Sequence, residues 1–189
     1  MLKGFVIGIV FTLAALAAAG YAVLRTGTIP AGADAGPLPF ERWAAGTSLH
    51  ATLVRDAPKG PNPVPLNEAN LIAGIQLYAK NCAFCHGPAQ GDAAMTPIAQ
   101  GENPGPPQLA TETVTDDPES WTFWKIKNGI RWSGMPAWEN ALSDQQIWTL
   151  ALFLKHMDNL PPGPKAAWQA VQLGHAPTGP QPAPAQTSK

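Results

Sequence analysis

The segment YAKNCAFCHGPAQG, residues 78–91, holds both cysteines of the chain, Cys82 and Cys85, separated by two residues and followed at once by His86. Each chemistry that this run could serve demands a different surrounding structure. A disulfide suits an even cysteine count, but a bridge across two residues closes almost no loop and removes little entropy from the unfolded chain. A zinc site needs two further ligands at suitable spacing. His50, His156 and His175 are scattered, two of them in or beside proline-rich segments. A thioredoxin-like dithiol expects a βαβ setting, and no strand pattern stands out. The fourth reading uses every residue of the run. Two thiols at this spacing add to the two vinyl groups of a haem, and the neighbouring imidazole lies over the iron.

The N-terminus bears on which compartment the motif meets. Residues 4–24, GFVIGIVFTLAALAAAGYAVL, carry no charge between Lys3 and Arg25. A helix of about 20 apolar residues spans the hydrocarbon core of a bilayer. Ala17-Ala18-Ala19 before Gly20 resembles a signal-peptidase site, yet the apolar run continues to Leu24, which favours a retained anchor. Both readings export residues 26–189. The expected location is the bacterial inner membrane, single-pass, with the remainder in the periplasm, or soluble periplasm if the segment is cleaved.

Of 21 prolines and 18 glycines, most of the prolines fall in 26–66 and 159–189. Such stretches bury little, so the first reads as an extended linker and the second as a disordered tail. The fold is expected in 67–158. A net charge of −1 gives no reason to expect nucleic acid. The middle leans acidic, with Glu102, Asp116, Asp117 and Asp144 among carboxylates that read as a solvated face.

Within the middle, PLNEANLIAGIQLYAKN predicts a helix capped at Asn67, its apolar face formed by Leu71, Ile72, Ile75 and Tyr78. Residues 87–120 are too rich in Gly and Pro for regular structure, and so long an irregular stretch makes sense if it wraps something rigid. A short helix capped near Asp117 and ended by Gly129 follows. The segment 143–157 is the clearest helix, capped by Ser143, with Ile147, Leu150, Ala151 and Leu154 as its stripe.

A haem held by His86 calls for a second axial ligand. Met135, in the loop WSGMPAW, is the best placed, since Gly134 leaves room for close backbone approach and Pro136 stiffens the loop. Met157 belongs to a helix end with its own apolar stripe, and Met95 is close in sequence to His86. His156 and His50 remain as bis-histidine alternatives.

The sequence resembles the class I cytochrome c family over about residues 67–158. The resemblance rests on Gly74 and Tyr78 four residues apart, Cys82-Ala-Phe-Cys85-His86, Pro107-Gln108-Leu109 and Gly134-Met135-Pro136. It implies an all-α cytochrome c domain around one covalent haem c, preceded here by a transmembrane helix. By the same resemblance Gly74 allows close crossing of the first helix by the last, at Leu150 and Phe153. The Pro107 carbonyl accepts the free imidazole N–H of His86, Leu109 packs on the haem, Met135 is the second iron ligand and Trp138 lines the pocket.

Arg131 reads as a partner for a haem propionate or as an exposed arginine. Trp121, Trp124, Trp132 and Trp148 read as packing rather than redox relays, and Lys125 and Lys127 as the solvated side of their helix rather than a partner patch. With both axial positions filled there is no open site for a small-molecule substrate, so the expectation is an electron-transfer protein rather than an enzyme. The first expectation is a membrane-tethered monohaem cytochrome passing single electrons between respiratory or dehydrogenase partners. A fixed haem subunit of a larger membrane oxidoreductase is the second. A haem sensor or peroxidase with a displaceable sixth ligand is a third, and a zinc or disulfide module a fourth.

Overall fold

The computed structural model describes residues 2–90, 96–112 and 114–171, and these divide between a unit ending at Ala35 and a second beginning at Gly36. Among the described residues every regular element is helical. In the first unit, α1 (Leu2–Arg25) runs without a proline and exposes its apolar side chains throughout. At about 1.5 Å per residue it is about 36 Å long, long and apolar enough to cross a membrane. The hydroxyls of Thr12 within it and of Thr26 just past its end donate to the carbonyls four residues back, so neither adds an unpaired donor to the apolar surface.

The second unit contains α2 (Pro39–Asp56), α3 (Glu68–Asn81), the single turn α4 (Ala83–His86), α5 (Pro97–Gln100), α6 (Glu119–Asn128), α7 (Asp144–His156), a 3-10 turn (Met157–Asn159) and α8 (Pro162–Gln169). Asn67 caps α3 by accepting the Asn70 N–H at 2.8 Å. Ser143 and Gln146 cap α7 reciprocally, each side chain accepting the other's backbone N–H. These caps satisfy N–H groups that the first helical turn leaves without carbonyl partners.

Helices α3 and α7 cross at Gly74. A Cβ there would collide with the Phe153 side chain and the Thr149 carbonyl, so only glycine lets the backbones approach this closely. Phe153 matches the expected crossing residue, while Leu150 is fully buried in the adjoining core. Tyr78 then lies against Phe153 and Trp168, with ring centroids 5.7 and 5.1 Å away. Phe153 and Trp168 are themselves 5.1 Å apart. Phe123 of α6 stacks on Trp148 of α7 at 4.2 Å, so Trp148 is a packing residue.

Two segments read as unstructured from the sequence contain helices. In the 26–66 stretch, α2 starts with Pro39 at its first position, where the missing N–H costs nothing. It buries Leu53, and Ala57 just beyond its end, and His50 meets Trp121 of α6 edge-on at 5.3 Å. Further along, the Asn62 amide donates to the Trp148 carbonyl at 3.1 Å, and Val64 is buried. In the 159–189 stretch, α8 likewise begins on a proline, and Trp168 and Val171 are core residues. The proline-rich end of the tail, from 172, lies outside the described residues.

Candidate haem site

The C-x-x-C-H run sits where α3 hands over to α4. The Cys82 N–H still donates to Tyr78 in α3, at 2.8 Å, while the Cys82 carbonyl already accepts from His86 at 2.9 Å. One short turn of four residues leaves its last carbonyls without helical partners, and each finds another. The Thr96 hydroxyl donates to the Phe84 carbonyl at 2.6 Å, and the Gln108 amide to that of Cys85 at 3.1 Å. The Tyr78 hydroxyl is shared between His86, at 3.2 Å, and Gly87, at 2.8 Å. The Leu109 N–H also reaches His86, at 3.2 Å. Burial pushes the Tyr78 phenol well above the ordinary tyrosine range, which keeps it a proton donor. Gly87, at φ +82°, takes the chain out of the turn, and a Cβ there would strike the Gln108 side chain.

His86 is oriented by the Pro107 carbonyl. Its Nδ1 lies 2.9 Å from the Pro107 carbonyl, and a carbonyl only accepts, so Nδ1 carries the proton and Nε2 presents its lone pair. Leu109, two residues after Pro107, is buried in the main core.

The two thiols are not joined to each other. Burial pushes Cys82 up to about 12, with the Cys85 charge adding to it. Cys85 is also raised, by burial first and then by the charge and hydrogen bond of Glu102. A redox-active dithiol works through a stabilised thiolate, the opposite of these shifts. Among the described residues no three His, Cys, Asp or Glu side chains gather into a metal-binding group. An oriented imidazole beside two free thiols fits a covalently attached haem.

Across the domain, Gly129 ends α6 at φ +68° with Ala137, Pro136 and Met135 packed against its α-carbon, a contact only glycine permits. The loop that follows is tied by its backbone. The Ile130 N–H donates to Met135 at 3.2 Å, the Met135 N–H to the Ser133 hydroxyl at 3.2 Å, and the Trp138 N–H to Ile126 at 3.1 Å. Met135 and Trp138 are partly buried against the core. Arg131 is exposed on the same loop.

The alternative ligands are placed otherwise. Met157 is buried in the main cluster, His50 is engaged with Trp121, and Met95 lies outside the described residues. His156 occupies the last turn of α7.

The His86 and Met135 segments meet at Glu102. Its carboxylate lies 3.6 Å from the Cys85 sulfur, and the same carboxylate fills the space that a side chain on Gly134 would take. Sequence reasoning missed Glu102, Thr96 and Gln108 as parts of this site. Only Gln108 left a trace, as a polar residue between Pro107 and Leu109, both of which contact the site or core. Lys125 and Lys127 are bound to Asp117 and Asp144 at 2.6 and 2.8 Å, so they brace α6 rather than form a free basic patch.

Residues 69–154 match the family model of cytochrome c oxidase, cbb3-type, subunit III. No curated protein and no solved structure matches the chain. A c-type cytochrome domain implies covalently bound haem c and an electron-transfer role. The oriented His86, the unpaired Cys82 and Cys85 and the match over 69–154 agree in supporting a class I cytochrome c domain in this part of the chain.

Proposed function

We propose that this protein is a membrane-tethered monohaem c-type cytochrome that passes single electrons at the periplasmic face, with α1 retained as its anchor. The observation that carries this reading is the His86–Pro107 contact inside a turn whose two thiols stand free. Haem, once bound, supplies a one-electron ferric–ferrous couple. The chain supplies everything else. Cys82 and Cys85 attach the porphyrin, and His86 offers Nε2 in a fixed orientation. Tyr78, Gln108 and Thr96 hold the turn that carries all three. Met135 would supply a second iron ligand, presented by a loop fixed through Gly129, Ser133 and Pro136. Leu109 and Trp138 would provide apolar wall, and the exposed Arg131 would pair with a propionate. Were His86 and Met135 both to ligate the iron, no position would be left for a substrate, and the bound group would supply outer-sphere electron transfer.

Residues 26–38 join α1 to α2. Thirteen residues reach at most about 45 Å when extended, and a tether of that order raises the effective concentration of the domain for partners in the same membrane. A pyridine haemochrome assay on the purified chain, with haem that resists acid–acetone extraction, tests the cofactor. The expected stoichiometry is one haem per chain, with a one-electron Nernst slope in redox titration. A chain without covalent haem refutes the proposal.

A second reading is favoured by the description of the matched family, a subunit of a terminal oxidase. In that case the domain is a fixed haem subunit of a larger complex. Stable co-purification of the native protein with membrane oxidoreductase subunits supports this second reading, and its isolation free of them supports the tethered carrier.

A further inference from the structure

We infer that Glu102 is an electrostatic determinant of the haem's reduction potential, a fixed negative charge that favours the ferric state. The inference rests on the haem reading above and concerns a residue that the sequence assigns to a solvated acidic face.

Three observations place the carboxylate. Its Oε1 lies 3.6 Å from the Cys85 sulfur, the atom through which the porphyrin would be attached. Its far side occupies the volume left free by Gly134, the residue before Met135, where any Cβ would strike all three atoms of the carboxylate group. Its backbone is also anchored. The Glu102 N–H donates to Ala99 at the end of α5, at 3.4 Å. Thr96 caps the start of α5 by accepting the Ala99 N–H, while its hydroxyl donates to Phe84 inside the haem-binding turn. The carboxylate is thus held against the attachment edge by a short element that is itself bound to the motif. No lysine or arginine among the described residues forms a salt bridge with it.

Its consequence follows from charge. Oxidation adds one positive charge at the iron, and a nearby anion stabilises the state with the greater positive charge. Haem attachment sharpens the effect. The Cys85 S–H adds across a vinyl C=C, sulfur to one carbon and hydrogen to the other, so Glu102 loses the thiol donor that now faces it. The carboxylate is partly exposed, so added salt should weaken its influence.

The test is a redox titration of the holoprotein at low and high ionic strength, comparing wild type with Glu102→Gln, Glu102→Lys and Glu102→Asp, with covalent haem content measured in parallel. The expected result is a higher midpoint potential for Glu102→Gln and a still higher one for Glu102→Lys, with Glu102→Asp closest to wild type. The differences should narrow as salt is raised. Potentials that do not move in Glu102→Gln and Glu102→Lys, at full haem content, overturn the inference. Failure of Glu102→Gln to attach haem while Glu102→Asp does so also overturns it, because the residue then serves assembly. Absence of covalent haem from the wild type would strike instead at the functional reading on which the inference rests.

Discussion

The histidine side of the site and the methionine side are built by different means. Around His86, four consecutive carbonyls from Phe84 to Gly87 are held by side chains from distant parts of the chain, Tyr78, Thr96 and Gln108. Around Met135, most of the ties are local, made by Ile130, Ser133 and the end of α6. The first arrangement depends on tertiary packing, because Tyr78 reaches the turn only while Phe153 and Trp168 hold its ring. The second depends on the loop's own backbone geometry. Damage to the core should therefore reach the histidine side first, and the methionine side should tolerate changes to its exposed residues.

The largest effect is expected from Cys82→Ala/Cys85→Ala, which should abolish covalent haem altogether; extraction of all haem by acid–acetone is the readout. Met135→Ala should leave the haem attached but remove the methionine-to-iron charge-transfer band of the oxidised protein and open the ferrous iron to carbon monoxide. A charge-transfer band that persists in that variant would transfer the ligand role to Met157 or Met95, and a band absent from the wild type would transfer it to His156 or His50.

Next in size is Trp168→Ala, which removes one wall of the Tyr78 cluster and should cost about 3–5 kcal/mol in denaturant unfolding. Gln108→Leu leaves the Cys85 carbonyl without its side-chain donor and should cost about 1–3 kcal/mol. The smallest change is expected on the methionine side. Trp132 is 83% exposed and sits at φ +59°, a left-handed conformation that favours glycine. Trp132→Gly relieves that strain while loosening the unfolded chain, so a net change within about 1 kcal/mol is expected. A loss comparable to that of Trp168→Ala would erase the contrast between the two sides.

The histidine motif, the helices α1, α3, α6 and α7, and the loop carrying Met135 were legible in the sequence. Each has a local signal: a cap such as Asn67 or Ser143, an apolar period, or chemistry packed into five residues. The N-cap of α6 is Pro118, next to Asp117 as expected. Helices α2 and α8 were hidden because Pro39 and Pro162, which start them, also punctuate linkers, and because α2 buries little beyond Leu53. Glu102 and Thr96 could not be read. Their roles arise from where irregular chain folds back on the motif, and no spacing rule encodes that return.

The unbridged state of Cys82 and Cys85 carries a practical consequence for following maturation. The chain has only these two cysteines, and attachment would consume both. The immature protein then differs from the mature one by two alkylatable sulfurs. A maleimide–polyethylene glycol gel shift under denaturing conditions would count them directly, reading two in precursor, one in a half-attached intermediate and none in finished protein. The same depletion makes any cysteine introduced elsewhere a unique labelling handle.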